Sequence, residues 1–144
     1  MNPLNTYLDH TLLKADAKSA DILAVTAEAK EYKTASVCVN SCYTALVARE
    51  LAGSGVKTCV VVGFPLGAMS SGAKALEAAL AVRDGAEEID MVMSIGAAKA
   101  GDWSAVQSDI AAVVNAAKPA IVKVIIETCL LTDDEKVKAC LAAK

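Results

Sequence analysis

The chain has 144 residues, a formal net charge of −3, 55% apolar residues and only 3% aromatic residues. This length suits one domain whose core is built from aliphatic side chains, because aromatic ones are scarce. The acidic balance and the lack of a basic tract argue against nucleic acid and anionic membranes as partners. The apolar runs are too short to span a bilayer and no secretion signal is visible, so we expect a cytoplasmic protein.

Short apolar runs alternate with helical patterns along the chain. The predicted strands, in chain order, cover residues 7–12, 35–39, 57–63, 88–93 and 120–127. The predicted helices cover residues 18–32, 42–51, 71–84, 103–117 and 132–143. Strands separated by helices of this length predict βαβ units, and therefore a parallel sheet with right-handed crossovers.

Three of these strands carry a charged residue among apolar neighbours: Asp9 in the first, Asp90 in the fourth and Lys123 in the fifth. A charge on a strand that is buried on both faces needs either a partner of opposite charge or a chemical function that explains it. The turn after the first strand has no glycine, which argues against a nucleotide-binding sheet. Charges on several strands instead favour barrel strands that converge on one pocket. We predict an α/β fold, a partial TIM (β/α)₈-type barrel of about five parallel units, since a complete barrel takes about 200 residues or more.

Five cysteines and one histidine bear on redox state and metal binding. The cysteines lack the spacing of a disulfide framework, so reduced thiols are expected. Cys38 and Cys42 are a conceivable zinc pair, but no second cysteine pair completes such a site. We therefore predict neither a metal nor another cofactor.

Five segments, taken together, resemble the signatures of the deoxyribose-phosphate aldolase family in their order. They are residues 7–14 (YLDHTLLK), 35–40 (ASVCVN), 63–67 (GFPLG), 88–92 (EIDMV) and 123–128 (KVIIET). The resemblance implies a class I aldolase with a (β/α)₈ barrel. Such an enzyme reversibly cleaves 2-deoxyribose 5-phosphate to acetaldehyde and glyceraldehyde 3-phosphate through a lysine Schiff base, without metal.

The same resemblance implies roles for individual side chains. Asp90 would be the acid/base residue of a proton relay. Contacts with the small sugar-phosphate substrate would come from the first, second and fifth strands, namely from Asp9, Thr11, Leu13, Cys38 and Lys123. The loop of residues 63–67 is expected to be tight and to lie at the active face, and His10 is expected to face a helix or solvent.

Structural alternatives remain open for these residues. Asp90 and Lys123 could form a purely structural ion pair, Asp9 could be a buried polar anchor, and Cys38 could be a packed thiol. Desolvation could also make Lys123 a nucleophile in its own right.

The family's Schiff-base lysine lies on a sixth strand in a Lys-Thr-Ser-Thr-Gly type motif, which the 144 residues do not contain. We therefore expect residues 1–144 to form a single truncated barrel domain, corresponding to the N-terminal part of the aldolase and inactive or nearly so. The alternative is a self-assembling half-barrel scaffold with no catalytic task. Open strand edges and an exposed inner face predict a homo-oligomer, in the simplest case a dimer.

Overall fold

The computed structural model describes residues 3–144. Its strands are β1 (Asp9–Leu12), β2 (Ser36–Val39), β3 (Lys57–Val62), β4 (Glu88–Val92) and β5 (Ile121–Ile125). Its α-helices are α1 (Ser19–Tyr32), α2 (Thr44–Leu51), α3 (Ser71–Arg83), α4 (Ile95–Lys99), α5 (Trp103–Ala116) and α6 (Asp133–Ala143). Short 3₁₀ turns cover Leu4–Tyr7, Ser41–Tyr43 and Thr128–Leu130.

The strands form one sheet in the order β1-β2-β3-β4-β5, and every neighbouring pair is parallel. This order confirms the predicted series of βα units, because each helix returns the chain to the strand beside the previous one. The predicted bounds of the first strand were wrong, since Tyr7 lies in a 3₁₀ turn and β1 begins at Asp9. The fifth strand was also predicted too long, and α4 was not predicted.

Helix starts follow the capping chemistry in the sequence. The Asp102 carboxylate accepts a hydrogen bond from the Ala105 N–H at 3.0 Å and so caps α5. Thr132 and Glu135 form a reciprocal capping box at the start of α6. Within residues 3–144, no helix has both the length and the apolar character needed to cross a membrane.

Alternate strand residues face the helices and build the main core. Val60, Val62, Ile89 and Met91 are fully buried in a large aliphatic cluster beneath the helices, and a second cluster lies under α1 and α2. The remaining strand residues point to the opposite side of the sheet, here called the inner face. Its apolar cluster is small: Cys38, Cys59 and Val61, with Leu13 packed against them. The inner face therefore has room for polar and charged side chains.

Candidate active site

Four charged side chains from three strands meet on the inner face. The Nζ atom of Lys123 lies 2.7 Å from Oδ2 of Asp9, 3.1 Å from Oδ1 of Asp90 and 3.1 Å from Oε2 of Glu88. The structure thus brings together three sequence-predicted residues, and it adds Glu88, which was not predicted. We call these four residues the ion cluster. Glu88 could have been found by strand alternation, since it lies two positions before Asp90 and must share its face.

Lys123 is held as an ammonium ion. Burial alone lowers its pKa, but the hydrogen bond to Asp9 and the negative charges around it outweigh burial and raise the pKa above the ordinary value of 10.5. Its side chain is 38% exposed, so the expectation of a strand buried on both faces was wrong for β5. A protonated amine cannot attack a carbonyl, so this arrangement argues against Lys123 as an independent nucleophile.

Asp9 is anchored from two sides. It accepts hydrogen bonds from Lys123 Nζ at 2.7 Å and from the Ser36 hydroxyl at 2.7 Å. Burial alone raises the pKa of Asp9, but these hydrogen bonds and the Lys123 charge lower it below the ordinary value of 3.8. Asp9 is therefore a fixed negative charge at the start of β1.

Asp90 differs from Asp9 in its unused hydrogen-bonding capacity. Among residues 3–144, no donor makes a hydrogen bond to its buried Oδ1 atom, although Nζ of Lys123 lies 3.1 Å away as an ion-pair partner. Its Oδ2 atom lies 3.9 Å from Sγ of Cys38, a long contact for a weak donor. Of the carboxylates in the ion cluster, Asp90 thus has a buried lone pair open to a proton or a ligand.

The other predicted residues surround this cluster at different depths. Cys38 is buried beside Cys59, and this neighbouring thiol together with burial raises the pKa of Cys59, which keeps it a neutral thiol. Leu13 packs against the apolar cluster that contains both cysteines.

The Thr11 hydroxyl is exposed and donates to the Asp9 backbone carbonyl at 2.9 Å, so it does not join the ion cluster. His10 faces α1, as expected, with Nε2 2.8 Å from the Glu28 carboxylate.

The loop of residues 63–67 leaves β3 as a tight turn, closed by a hydrogen bond from the Gly67 N–H to the Gly63 carbonyl at 2.8 Å. A Cβ atom at Gly67 would lie 2.1 Å from the Met93 carbonyl oxygen, so only glycine fits there. Glu77 on α3 accepts from the Gly63 N–H and from the Ser41 hydroxyl, each at 2.9 Å. One carboxylate therefore joins the segments that follow β2 and β3.

A buried ion pair behind the sheet was missed by the sequence reasoning. Lys74 Nζ lies 2.7 Å from Oδ2 of Asp109 and donates to the Val92 carbonyl at 2.9 Å, and the Ser71 hydroxyl donates to the other Asp109 oxygen at 2.8 Å. Both charged side chains are nearly inaccessible. The available signal was helical spacing, since Lys74 lies four residues before the buried Ala78 of α3.

The five consecutive parallel βα units define part of an α/β barrel. A family model described as DeoC/LacD family aldolase matches residues 4–143. The chain belongs to this family.

Relatives and solved structures agree with this assignment. The chain is 61% identical over 137 residues to a deoxyribose-phosphate aldolase of Finegoldia magna, covering 95% of this chain and 64% of that protein. It is 56% identical over 140 residues to one of Streptococcus equi subsp. zooepidemicus, covering 97% of this chain and 64% of the relative. The chain thus spans just under two thirds of the length of these relatives.

Two solved structures show the same architecture. A putative deoxyribose-phosphate aldolase from Coccidioides immitis superposes with a TM-score of 0.95 at 40% identity, covering 97% of this chain and 55% of that one. The deoxyribose phosphate aldolase of Aeropyrum pernix, described as a tetramer, gives a TM-score of 0.89 at 30% identity, with 97% and 59% coverage. The five-stranded parallel sheet of residues 3–144 is therefore an arc of a (β/α)₈ barrel.

Proposed function

We propose that this chain supplies the acid/base and sugar-contacting part of the pocket of a 2-deoxyribose-5-phosphate aldolase. The reaction is reversible cleavage to acetaldehyde and glyceraldehyde 3-phosphate through a lysine Schiff base. The observation that carries the proposal is Asp90, whose buried Oδ1 accepts no hydrogen bond from residues 3–144 and lies 3.1 Å from the Lys123 ammonium.

Each side chain has a distinct role in this proposal. Asp90 takes and returns the proton that moves when the carbon–carbon bond is broken or formed. Lys123 donates to a hydroxyl of the sugar phosphate. Asp9 fixes Lys123, while Thr11, Leu13 and Cys38 line the pocket wall.

The proposal also includes inactivity of the 144 residues on their own. Schiff-base formation needs an unprotonated amine, and the raised pKa of Lys123 makes that lysine a poor nucleophile. The family's nucleophile motif does not occur in the sequence. Losing one member of a cooperating set of residues costs orders of magnitude in rate.

A chimera tests this assignment. Residues 1–144 are joined to the part of the Finegoldia magna relative that they do not cover, and acetaldehyde release from 2-deoxyribose 5-phosphate is measured. We expect activity in the chimera and none in the 144 residues alone. Asp90→Asn in the chimera should lower kcat by about 100-fold or more, whereas Asp16→Asn, at an exposed position, should not. Equal kcat in the Asp90→Asn chimera and its parent would refute the role of Asp90.

We also propose that copies of this chain form a homodimer through the edges of β1 and β5 and the inner face. The supporting observation is exposed apolar surface on β5, where Ile121 is 63% exposed, and in the turn just before β1, where Tyr7 is 67% exposed. Buried apolar area contributes about 25 cal/mol per Å² to association. This observation also favours the second candidate function, a self-assembling scaffold without catalysis.

Sedimentation velocity at micromolar concentration tests the dimer. We expect a species of twice 14.8 kDa that Ile121→Lys shifts toward monomer. Val137→Lys, at an exposed apolar position on α6, is the matched control. A parent protein that sediments as a monomer would contradict the dimer. An active chimera would exclude a scaffold-only function.

A further inference from the structure

Two thiols and a carboxylate are clustered on the inner face. The Sγ atoms of Cys38 and Cys59 and a carboxylate oxygen of Asp90 all lie within 4.8 Å of one another. Cys38 and Cys59 are paired in register on neighbouring parallel strands, so their side chains leave the sheet on the same side. Both cysteines are buried, at 3% and 0% exposure. The three donor atoms belong to three adjacent strands and are therefore held by rigid backbone.

We propose that Cys38, Cys59 and Asp90 form a binding site for a thiophilic divalent cation such as Zn²⁺ or Cd²⁺. Zinc binds thiolate sulfur at about 2.3 Å and carboxylate oxygen at about 2.0–2.2 Å, so tetrahedral ligands lie roughly 3.5–3.8 Å apart. The observed separation of 3.9 Å between Cys38 Sγ and Asp90 Oδ2 is close to this range. Small rotations of the side chains would complete the geometry, and water could take the fourth position.

The charges around the three donors favour a cation. Asp9, Glu88 and Asp90 bring three carboxylates to the one ammonium of Lys123, which leaves two formal negative charges unmatched within the ion cluster. The Asp90 oxygen that faces the Cys38 thiol is Oδ2, whereas Oδ1 lies beside the Lys123 ammonium. A metal ion between the two cysteines and Asp90 would therefore be held by Oδ2.

Lys123 does not block this site. Its short hydrogen bond is to Asp9, at 2.7 Å, and its side chain is part exposed. It can therefore stay on Asp9 and Glu88 while a cation takes the Asp90 carboxylate. Binding replaces two thiol protons by one dication, so the unmatched negative charges of the ion cluster attract the cation but are not neutralised by it.

Two sulfur ligands also determine which cations bind. Soft thiolates select Zn²⁺ and related ions, whereas Mg²⁺ and Ca²⁺ prefer oxygen ligands. The inference concerns binding only. It does not depend on the proposed aldolase function.

The experiment is carried out in a variant from which the three exposed cysteines have been removed. In the variant Cys42→Ser/Cys129→Ser/Cys140→Ser, the remaining thiols are the buried pair. Cd²⁺ is titrated into this chelator-treated variant and followed by the ultraviolet charge-transfer absorbance of cadmium–thiolate bonds. We expect one saturable equivalent, unaffected by Mg²⁺. Adding Cys59→Ser should weaken binding by about tenfold or more, at least as much as losing an outer-shell partner of a metal site.

Two further measurements keep the test decisive if Cys59→Ser does not fold. Cys38→Ala in the same background removes the other sulfur with little change in volume. X-ray absorption on the loaded triple variant should show two sulfur ligands and the rest oxygen. No saturable binding in that variant, or a cation surrounded by oxygen alone, would overturn the proposal. The proposal would also be overturned if a folded variant that lacks the Cys38 or the Cys59 sulfur bound Cd²⁺ as strongly as the triple variant does.

Discussion

Lys123 and Asp9 are 114 positions apart in the chain, yet Nζ of Lys123 lies 2.7 Å from Oδ2 of Asp9. They belong to β5 and β1, which are opposite edges of the sheet. In a flat sheet these strands would be about 19 Å apart, because neighbouring strands are spaced by about 4.8 Å. Two side chains cannot bridge that distance, so their contact requires the sheet to curl around the inner face.

Asp9 should make the stability of the protein depend on pH in the acid range. Its pKa is lower in the folded protein than the ordinary 3.8, so the unfolded chain binds its proton more readily and folding is favoured above that pH. Asp9→Asn should therefore lower the free energy of unfolding at pH 7 by up to about 1 kcal/mol, a modest value because the pair is part exposed. Urea unfolding at pH 7 and well below pH 3.8 checks this. The parent and variant should converge in acid, and a difference that persists there would contradict the linkage.

Lys123 should resist trapping by acetaldehyde and borohydride. The carboxylates around it raise its pKa, which removes the free amine needed for a Schiff base. Peptide mapping by mass spectrometry should show less label on Lys123 than on the exposed Lys14. The double variant Asp9→Asn/Asp90→Asn should label Lys123 more than the parent does, because it removes two of the charges that favour the ammonium. Efficient trapping on Lys123 in the parent would contradict this reasoning.

Lys74 should be far more sensitive to substitution than exposed lysines. Lys74→Met leaves the Asp109 carboxylate buried without its partner, which should cost about 3–5 kcal/mol of the free energy of unfolding. The double variant Lys74→Met/Asp109→Leu removes both charges and should recover much of that loss. Chemical denaturation of all three proteins measures the difference. A double variant no more stable than Lys74→Met would count against an uncompensated charge as the cause.

Glu77 should control the order of the loops after β2 and β3. Glu77→Gln weakens the acceptor for the Gly63 N–H and the Ser41 hydroxyl, and we expect a loss of about 1–3 kcal/mol in the free energy of unfolding. The Gly63 amide should also exchange faster with solvent. Glu31→Gln, at an exposed position on α1, is the control and should leave both unchanged. Unaltered Gly63 exchange in Glu77→Gln would show that the contact does not hold the loop.

The sequence predicted the sheet because its signals are local. Short apolar runs and the lengths of the helical patterns between them are signals of this kind, and together they predicted parallel βα units whose order the structure confirms. The short helix α4 was missed because five residues after a strand carry too little periodicity. The exposure of Lys123 was misjudged because it depends on which elements cover β5, which periodicity does not reveal.

Three residues that the sequence reasoning missed, two in the candidate site and one in the ion pair behind the sheet, share one property. Glu88 and Cys59 acquire significance only from side chains on other strands, and Lys74 only from Asp109 on another helix. Strand alternation predicts which face of the sheet each side chain is on. It does not predict the register, that is, how far one strand is shifted along its neighbour. That shift decides which charges meet. The roles of Asp90, Lys123 and the pocket-wall residues remain predictions.

The buried ammonium of Lys74 has a consequence for the assembly of the fold. Its hydrogen-bond acceptors lie on two later segments, the end of β4 and helix α5. A nascent chain that has packed α3 but not yet α5 must leave this charge in water or bury it without a counterion, which costs several kcal/mol. The third and fourth units should thus become stable together and not one after the other. Folding of the sheet should therefore be cooperative between the third and fourth units. In a solenoid, by contrast, each repeat adds to stability through its nearest neighbours.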